Sequence, residues 1–359
     1  MNKLNAKWRE YQTESLIRTR EPIDPQAINF ASNDYLGLAH HPSTIAFLQT
    51  QCLGYGSGAS AYVTGFHPLQ AETEAAFADY LGFEDALLFN TGYMANLGVL
   101  QCLAQRDCLL AIDRESHASL MDGARLADAP VKRYRHMLQL QQLLQTAPGY
   151  KLIASDSVFS ISGRLADIVQ LVTLTQTHQG SLIIDDAHGF GVLHPKGIAG
   201  LQKNIDLLII PCGKALGAFG AMVLGSKQLI GYLKQFARSA IYTTALPPIC
   251  IATLQHQLQL LQTESWRFEK LQENKRLFNA VIAEAGLHIQ PAEGAIFQYP
   301  MESNLAALQQ AEALKKQGLW VAAMRRPTVN TPCLRITLSA THTSAMLHQL
   351  VAALKALAC

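Results

Sequence analysis

The 359-residue chain contains no run of 18 or more apolar residues, so no segment of it reads as a membrane-spanning helix. It also has little excess charge of either sign. Its 29 basic and 27 acidic residues leave a formal net charge of +2, which gives no broad attraction to nucleic acid or to an anionic membrane. The opening stretch, MNKLNAKWREYQTESLIRTR, has no apolar core of the secretory-signal kind, and its Arg and Lys are mixed with Glu, unlike a transit peptide. None of the seven cysteines forms a C-x-x-C pair. Dispersed and odd in number, they point to reduced, mostly buried thiols and a cytoplasmic setting. There is no internal repeat and no low-complexity segment.

What the chain does have is enough apolar sequence, 49% of the total, for more than one simple core. Short apolar runs alternate with amphipathic segments, the pattern of an α/β protein with a largely parallel sheet. Strands are expected at Ala86–Phe89, Cys108–Ile112, Leu152–Ser155, Leu182–Asp185, Leu207–Pro211 and Ala221–Gly225. Helices are expected at Pro68–Tyr80, Met94–Gln105, Leu138–Gln145 and Asp167–His178, then from Leu246 to about Leu261 and over Trp266–Ala285. After Gly286 the pattern restarts. Strands are expected at His288–Ile289, Ile296–Tyr299, Trp320–Ala323 and Leu334–Leu338, with helices near Ala306–Gln317 and up to Ala358. The expected organisation is a large domain over residues 41–262 and a smaller α/β domain with an antiparallel sheet over 263–359. Residues 1–40 form an arm packing on the small domain.

Two segments carry chemistry. In Asp185-Asp186-Ala187-His188-Gly189, an apolar strand delivers two carboxylates and an imidazole at its carboxyl end, where open α/β sheets place ligands. Alone, this pattern fits a metal site or a solvated loop as well as it fits a cofactor site. Gly213-Lys214-Ala215-Leu216-Gly217 directly follows another apolar strand. It is not a phosphate loop, because residue 215 is Ala and no glycine-rich run precedes the lysine. A lysine at one strand end and an aspartate at another suit a pyridoxal 5'-phosphate (PLP) enzyme. The amine holds the cofactor as a Schiff base, and the carboxylate keeps the pyridine nitrogen protonated so that the ring can accept electrons.

These two segments resemble the α-oxoamine synthases, PLP enzymes of the aspartate-aminotransferase-like fold (fold type I). So do further blocks in family order: Asn33–Leu38, Gly56–Gly65, Thr91–Asn96, Ser116–Ser119, Ser157–Ser160 and Thr243–Pro248. The segment Arg325–Val329, followed by Leu334–Leu338, is most similar to the branch that joins L-alanine to a pimeloyl thioester in biotin synthesis.

The resemblance implies roles. Lys214 binds the cofactor and then removes the alanine Cα proton, Asp185 pairs with the ring nitrogen, His188 with the ring oxygen, and His117 stacks on the ring. Ser160 lies near the ring hydroxyl. Gly92 and Tyr93 offer backbone N–H groups to the phosphate at a helix start. Thr243 and Thr244 reach the phosphate of a neighbouring copy, which makes the active unit a homodimer with shared sites. Arg335 binds the amino-acid carboxylate with Asn33 beside it, while Arg18 and Thr328 contact the acyl substrate. The partners implied are L-alanine and either pimeloyl-CoA or a pimeloyl carrier protein, with no metal.

The chain departs from the family pattern at Pro211, where a phosphate-binding Thr or Ser is usual; one anchor is then missing and weaker PLP retention is expected, unless Cys212, Thr243 or Thr244 compensates. Asp156 stands for a usual Glu, and Ser162 and Arg164 stand where Asp is common. Three other readings remain open at this point: a synthase joining glycine to acetyl-, succinyl- or long-chain acyl-CoA, an aminotransferase, and a non-catalytic relative that acts by binding.

Overall fold

The computed structural model describes residues 2–13 and 16–358. In chain order the first elements are α1 (Asn2–Thr13), β1 (Ile28–Asn29), α2 (Pro42–Thr50), α3 (Pro68–Leu81), β2 (Asp85–Phe89), α4 (Gly92–Leu103), β3 (Cys108–Asp113) and α5 (Ala118–Leu126). Then come β4 (Val131–Tyr134), α6 (Met137–Thr146), β5 (Tyr150–Asp156), α7 (Ile168–Thr177), β6 (Ser181–Asp185), β7 (Leu207–Pro211), β8 (Ala221–Gly225), α8 (Lys227–Phe236), α9 (Arg238–Ile241), α10 (Pro248–Thr263) and α11 (Trp266–Glu284). The last are β9 (Ile296–Pro300), α12 (Asn304–Lys315), β10 (Leu319–Trp320), β11 (Ala322–Met324), β12 (Cys333–Thr337) and α13 (Ser344–Ala358).

The chain forms two compact units. The larger comprises Leu36–Ser160 and Arg164–Glu269 and holds a seven-stranded sheet in the order β2-β8-β7-β6-β5-β3-β4. Neighbours from β7 through β4 run parallel, whereas β8 is antiparallel to both β2 and β7. A parallel sheet covered on both faces needs strands that are apolar throughout. Leu207–Ile210 and Leu182–Ile184 meet that need and are buried along their length. The polar residues come at the carboxyl ends: Asp113 on β3, Asp156 on β5 and Asp185 on β6.

The smaller unit comprises the residues through Tyr35, Ile161–Gly163 and the chain from Lys270 onward. It holds an antiparallel sheet in the order β11-β12-β9 and a short parallel pair, β1 with β10. No helix among the described residues is long and apolar enough to cross a membrane.

The structure corrects several local expectations. His288–Ile289 is not a strand. The Ile289 N–H turns back to Leu287 O, and Pro291, two residues on, has no donor for a ladder. The expected strand Trp320–Ala323 is two strands: Leu319–Trp320 pairs with β1, and Ala322–Met324 pairs with β12. The edge strand β4 is not expected from the sequence, because its exposed Lys132 and Arg133 hide the apolar signal, as edge strands often do. Helix α5 is likewise not expected, because it opens on the polar Ser116–Ser119 block.

Candidate active site

In the larger unit the carboxyl ends of β6 and β7 carry three of the expected residues, Asp185, His188 and Lys214. The parallel register sets Asp156 opposite Asp185 and Asp185 opposite Ile209. Beyond β7 the chain turns through Gly213 to Lys214, and the turn is closed by bonds from Cys212 N to Gly220 O (2.9 Å) and from Ala218 N to Cys212 O (3.0 Å). Gly217 in that turn has φ +58°, and a Cβ there would lie 2.2 Å from Ala39 N, so no other residue fits without a backbone shift. The result places Lys214 Nζ 3.0 Å from His188 Nε2.

Asp185 is 3% exposed. Its two carboxylate oxygens accept from Ala187 N (3.0 Å) and from Asn96 Nδ2 (2.6 Å), an arrangement that keeps it an acceptor. Asp186 faces elsewhere. It accepts from the Ser157 hydroxyl and from Ile198 N (2.7 Å), and burial pushes its carboxyl up to about 7. It therefore braces the loop that follows β6. Burial, reinforced by the charge of Asp185, also raises Asp156 well above the carboxylate range. Asp156 accepts from His117 N at 3.0 Å and so anchors the start of α5.

His117 caps α5. Its Nδ1 accepts from Ser119 N (3.3 Å) and lies 2.7 Å from Ser119 Oγ. Burial lowers its pKa, with the charge of Lys214 acting in the same sense and Asp185 opposing. Thr91 caps α4 by accepting from Met94 N, and Gly92 and Tyr93 stand in the first turn, whose N–H groups have no intrahelical acceptor. A Cβ on Gly92 would lie 2.5 Å from Pro211 Cγ, so this glycine is required by the proline ring beside it. The Tyr93 side chain points away and donates its hydroxyl to Asp122.

Cys212 does not replace the hydroxyl missing at Pro211. Its thiol is fully buried, bonded to Ile210 O, and pushed up to about 12 by burial. Thr243 and Thr244 are held by Asn90, whose amide donates to Thr244 O (2.7 Å) and contacts Thr243 Oγ1 (3.4 Å). Ser160 lies half-buried in the turn between the bridged residues Val158 and Leu165.

The remaining expected residues belong to the smaller unit. Arg335 on β12 is buried and donates to Asn33 Oδ1 at 3.1 Å. Tyr35 donates to the same oxygen, and its burial raises the phenol to about 12, with Arg335 opposing. Arg18 donates to Thr328 Oγ1 at 2.9 Å, which joins the two residues expected to contact the acyl group. They lie on a cavity of about 740 Å³ lined in part by Leu16, Trp320, Met324 and Arg325.

A family model described as aminotransferase class I and II matches residues 25–354. The chain belongs to the aminotransferase class I and II family. An 8-amino-7-oxononanoate synthase of Hydrogenovibrio crunogenus is 44% identical over 343 residues, covering 92% of this chain and 86% of that protein. A solved 8-amino-7-oxononanoate synthase from Francisella tularensis superposes with a TM-score of 0.79 at 29% identity, covering 93% of this chain and 98% of the other. Serine palmitoyltransferase from S. paucimobilis, solved with a bound PLP–myriocin aldimine, gives a TM-score of 0.90 at 26% identity, covering 99% and 96%. The fold is the aminotransferase-like α/β fold, and the cofactor of the family member is PLP. The donor set fits it: an amine at Lys214, a buried acceptor carboxylate at Asp185, an imidazole at His188 and a helix start at Gly92.

Asn96, Ser119 and Asn90 are among the polar residues of the site whose roles the sequence motifs do not indicate. Asn96 had a legible signal, since it is a polar side chain on the buried face of an otherwise apolar helix.

Proposed function

We propose that this chain condenses L-alanine with a pimeloyl thioester to give 8-amino-7-oxononanoate, CO₂ and a free thiol, in biotin synthesis. The observation that carries the reading is Lys214 Nζ set 3.0 Å from His188 Nε2, beside a carboxylate held as an acceptor at Asp185. The relatives named 8-amino-7-oxononanoate synthase support the choice of substrates.

PLP, when bound, supplies an electron sink that stabilises negative charge at the alanine Cα. Residues 41–262 are proposed to bind it. Asp185 holds the proton of the ring nitrogen, His188 donates toward the ring oxygen, and His117 covers the ring face. Ser160 lies toward the ring hydroxyl, and the N–H groups of Gly92 and Tyr93 meet the phosphate. Lys214 takes the Cα proton of alanine, and its high local concentration makes this general base effective. A bond then forms between alanine Cα and the thioester carbonyl carbon, and the carbon–sulfur bond breaks, so that sulfur leaves as thiolate. Loss of the carboxyl carbon as CO₂ leaves an electron pair at Cα, which takes up a proton.

Arg335 grips the alanine carboxylate through its planar fork, with Asn33 fixing the guanidinium. Arg18 and Thr328 bind the acyl partner, pimeloyl-CoA or a pimeloyl carrier protein. The working unit is proposed to be a cytoplasmic homodimer in which Thr243 and Thr244 reach the partner copy's phosphate. Supporting this, the segment around Ser57 and Ser60 is tied to Ala245 O and Ile241 O, and together they expose Tyr55, Val63, Phe66 and Tyr242.

The test is thiol release from pimeloyl-CoA with L-alanine, glycine and other amino acids, with Lys214→Ala as control. Alanine-dependent formation of the amino ketone is expected, with a loss of about 10³-fold or more in the variant. Release with glycine and a different acyl-CoA, and none with alanine, would overturn the substrate assignment.

A further inference from the structure

We propose that Asn96 is a positioning residue that ties the orientation of the Asp185 carboxylate to the tautomer of His117. Asn96 is 1% exposed, on the face of α4 turned to the sheet. Its two amide protons are both committed, one to Asp185 Oδ2 at 2.6 Å and the other to Ser119 Oγ at 2.8 Å. Because Ser119 Oγ accepts from Asn96, its own proton is free to go to His117 Nδ1, 2.7 Å away. Ser119 N donates to the same nitrogen at 3.3 Å. A ring nitrogen that accepts two donors carries no proton, so the neutral ring has its proton on Nε2. One amide thus keeps Asp185 an acceptor and, through one hydroxyl, leaves His117 with an N–H donor on the opposite side of its ring.

The charged and titratable groups facing His117 are Asp185, Lys214 and Asp122, with Asp156 on its backbone N–H. None of these bonds to the imidazole in place of Ser119. Burial already disfavours the imidazolium, and the Ser119 hydroxyl adds to that by offering the ring a donor rather than an acceptor. The inference rests on Asp185 and His117 flanking the cofactor as proposed above.

The experiment compares Asn96→Ala, Ser119→Ala and Asp185→Ala by titrating the apo-proteins with PLP, following intrinsic fluorescence and thermal shift. The pH profile of kcat/KM is measured on the first two. Asn96→Ala leaves the buried Asp185 oxygen without its donor, and its PLP Kd is expected to rise about tenfold or more. Ser119→Ala is expected to leave the PLP Kd within about twofold and to move the acid limb of the profile to higher pH, because the imidazolium is then opposed only by the longer backbone N–H contact. Asn96→Ala is expected to move the same limb in the same direction.

An Asn96→Ala protein that loses thermal stability but keeps its PLP affinity and its acid limb has lost only packing, and that result overturns the proposal. Should Asn96→Ala fail to fold, an unmoved acid limb in Ser119→Ala overturns it alone. PLP affinity unchanged in Asp185→Ala refutes the placement of Asp185. PLP affinity lost in Asp185→Ala and retained in Asn96→Ala refutes only the role of Asn96.

Discussion

His342 should make the protein sensitive to mild acid. It is 4% exposed and packed against Phe30, with ring centroids 4.3 Å apart. Its Nδ1 accepts from Ser339 N at 3.1 Å, and its Nε2 lies 3.0 Å from Asn29 O, so the neutral ring uses one nitrogen as acceptor and the other as donor. Protonation would turn a donor at Nδ1 against the Ser339 N–H. Burial lowers the pKa from 6.5 to about 4, with the bond to Asn29 O opposing. The unfolded chain therefore binds this proton below about pH 6.5, whereas the native chain does so only near pH 4. The contribution to stability is whole above the unfolded value and is lost as pH falls from 6.5 toward about 4. At about 1.4 kcal/mol per pH unit, that window costs the native state about 3 kcal/mol.

The assay is urea unfolding of the wild type and of His342→Gln at several pH values from about 7.5 to about 4.5. At neutral pH the variant should be less stable by about 1–3 kcal/mol, for the loss of buried bonds. On acidification the two should converge, because the variant has no proton to take up at this position. Other imidazoles with lowered pKa, such as the half-buried His194 and His256, are present in both proteins and cancel in the comparison. A stability difference that stays constant from neutral to acid pH would refute the reasoning.

Two further outcomes follow from the site residues. Arg335→Lys keeps the charge but loses the planar fork that bonds to Asn33, so KM for alanine should rise about 10- to 100-fold while the PLP affinity of the apo-protein stays the same; equal loss in both would mean that the residue acts through the fold instead. Pro211→Thr restores a hydroxyl beside Gly92 and should tighten PLP binding to the apo-protein about fivefold. An unchanged or weaker affinity would count against the idea that this end of the cofactor site lacks a donor.

Much of the larger unit is legible in the chain because its signals are local. Leu207–Pro211 and Ala221–Gly225 are strands at the residues expected, since each is a short apolar run bounded by turn residues and buried on both faces. Lys214, Asp185 and His188 could be singled out because each sits within three residues of such a strand end. The helix starts at Thr91 and Asp167 are equally local, because a side-chain cap reads only the next few residues. Where a segment is neither wholly apolar nor cleanly periodic, as at β4 and α5, local sequence does not reveal the element.

The sequence by itself determined the α/β architecture, the kinds of group available for chemistry and their order along the chain. Tertiary structure alone decided which of them meet. Asn96 reaches Asp185 across 89 positions, and Arg18 reaches Thr328 across 310, so no spacing rule could pair them. The same is true of what fails to meet. Cys212 stands one residue from Pro211, but the alternation of a strand end turns its thiol into the core, and only the fold shows that it cannot replace the missing hydroxyl. The physical reason is that strand register and helix packing convert distance along the chain into proximity, and both are properties of the whole sheet rather than of any segment in it.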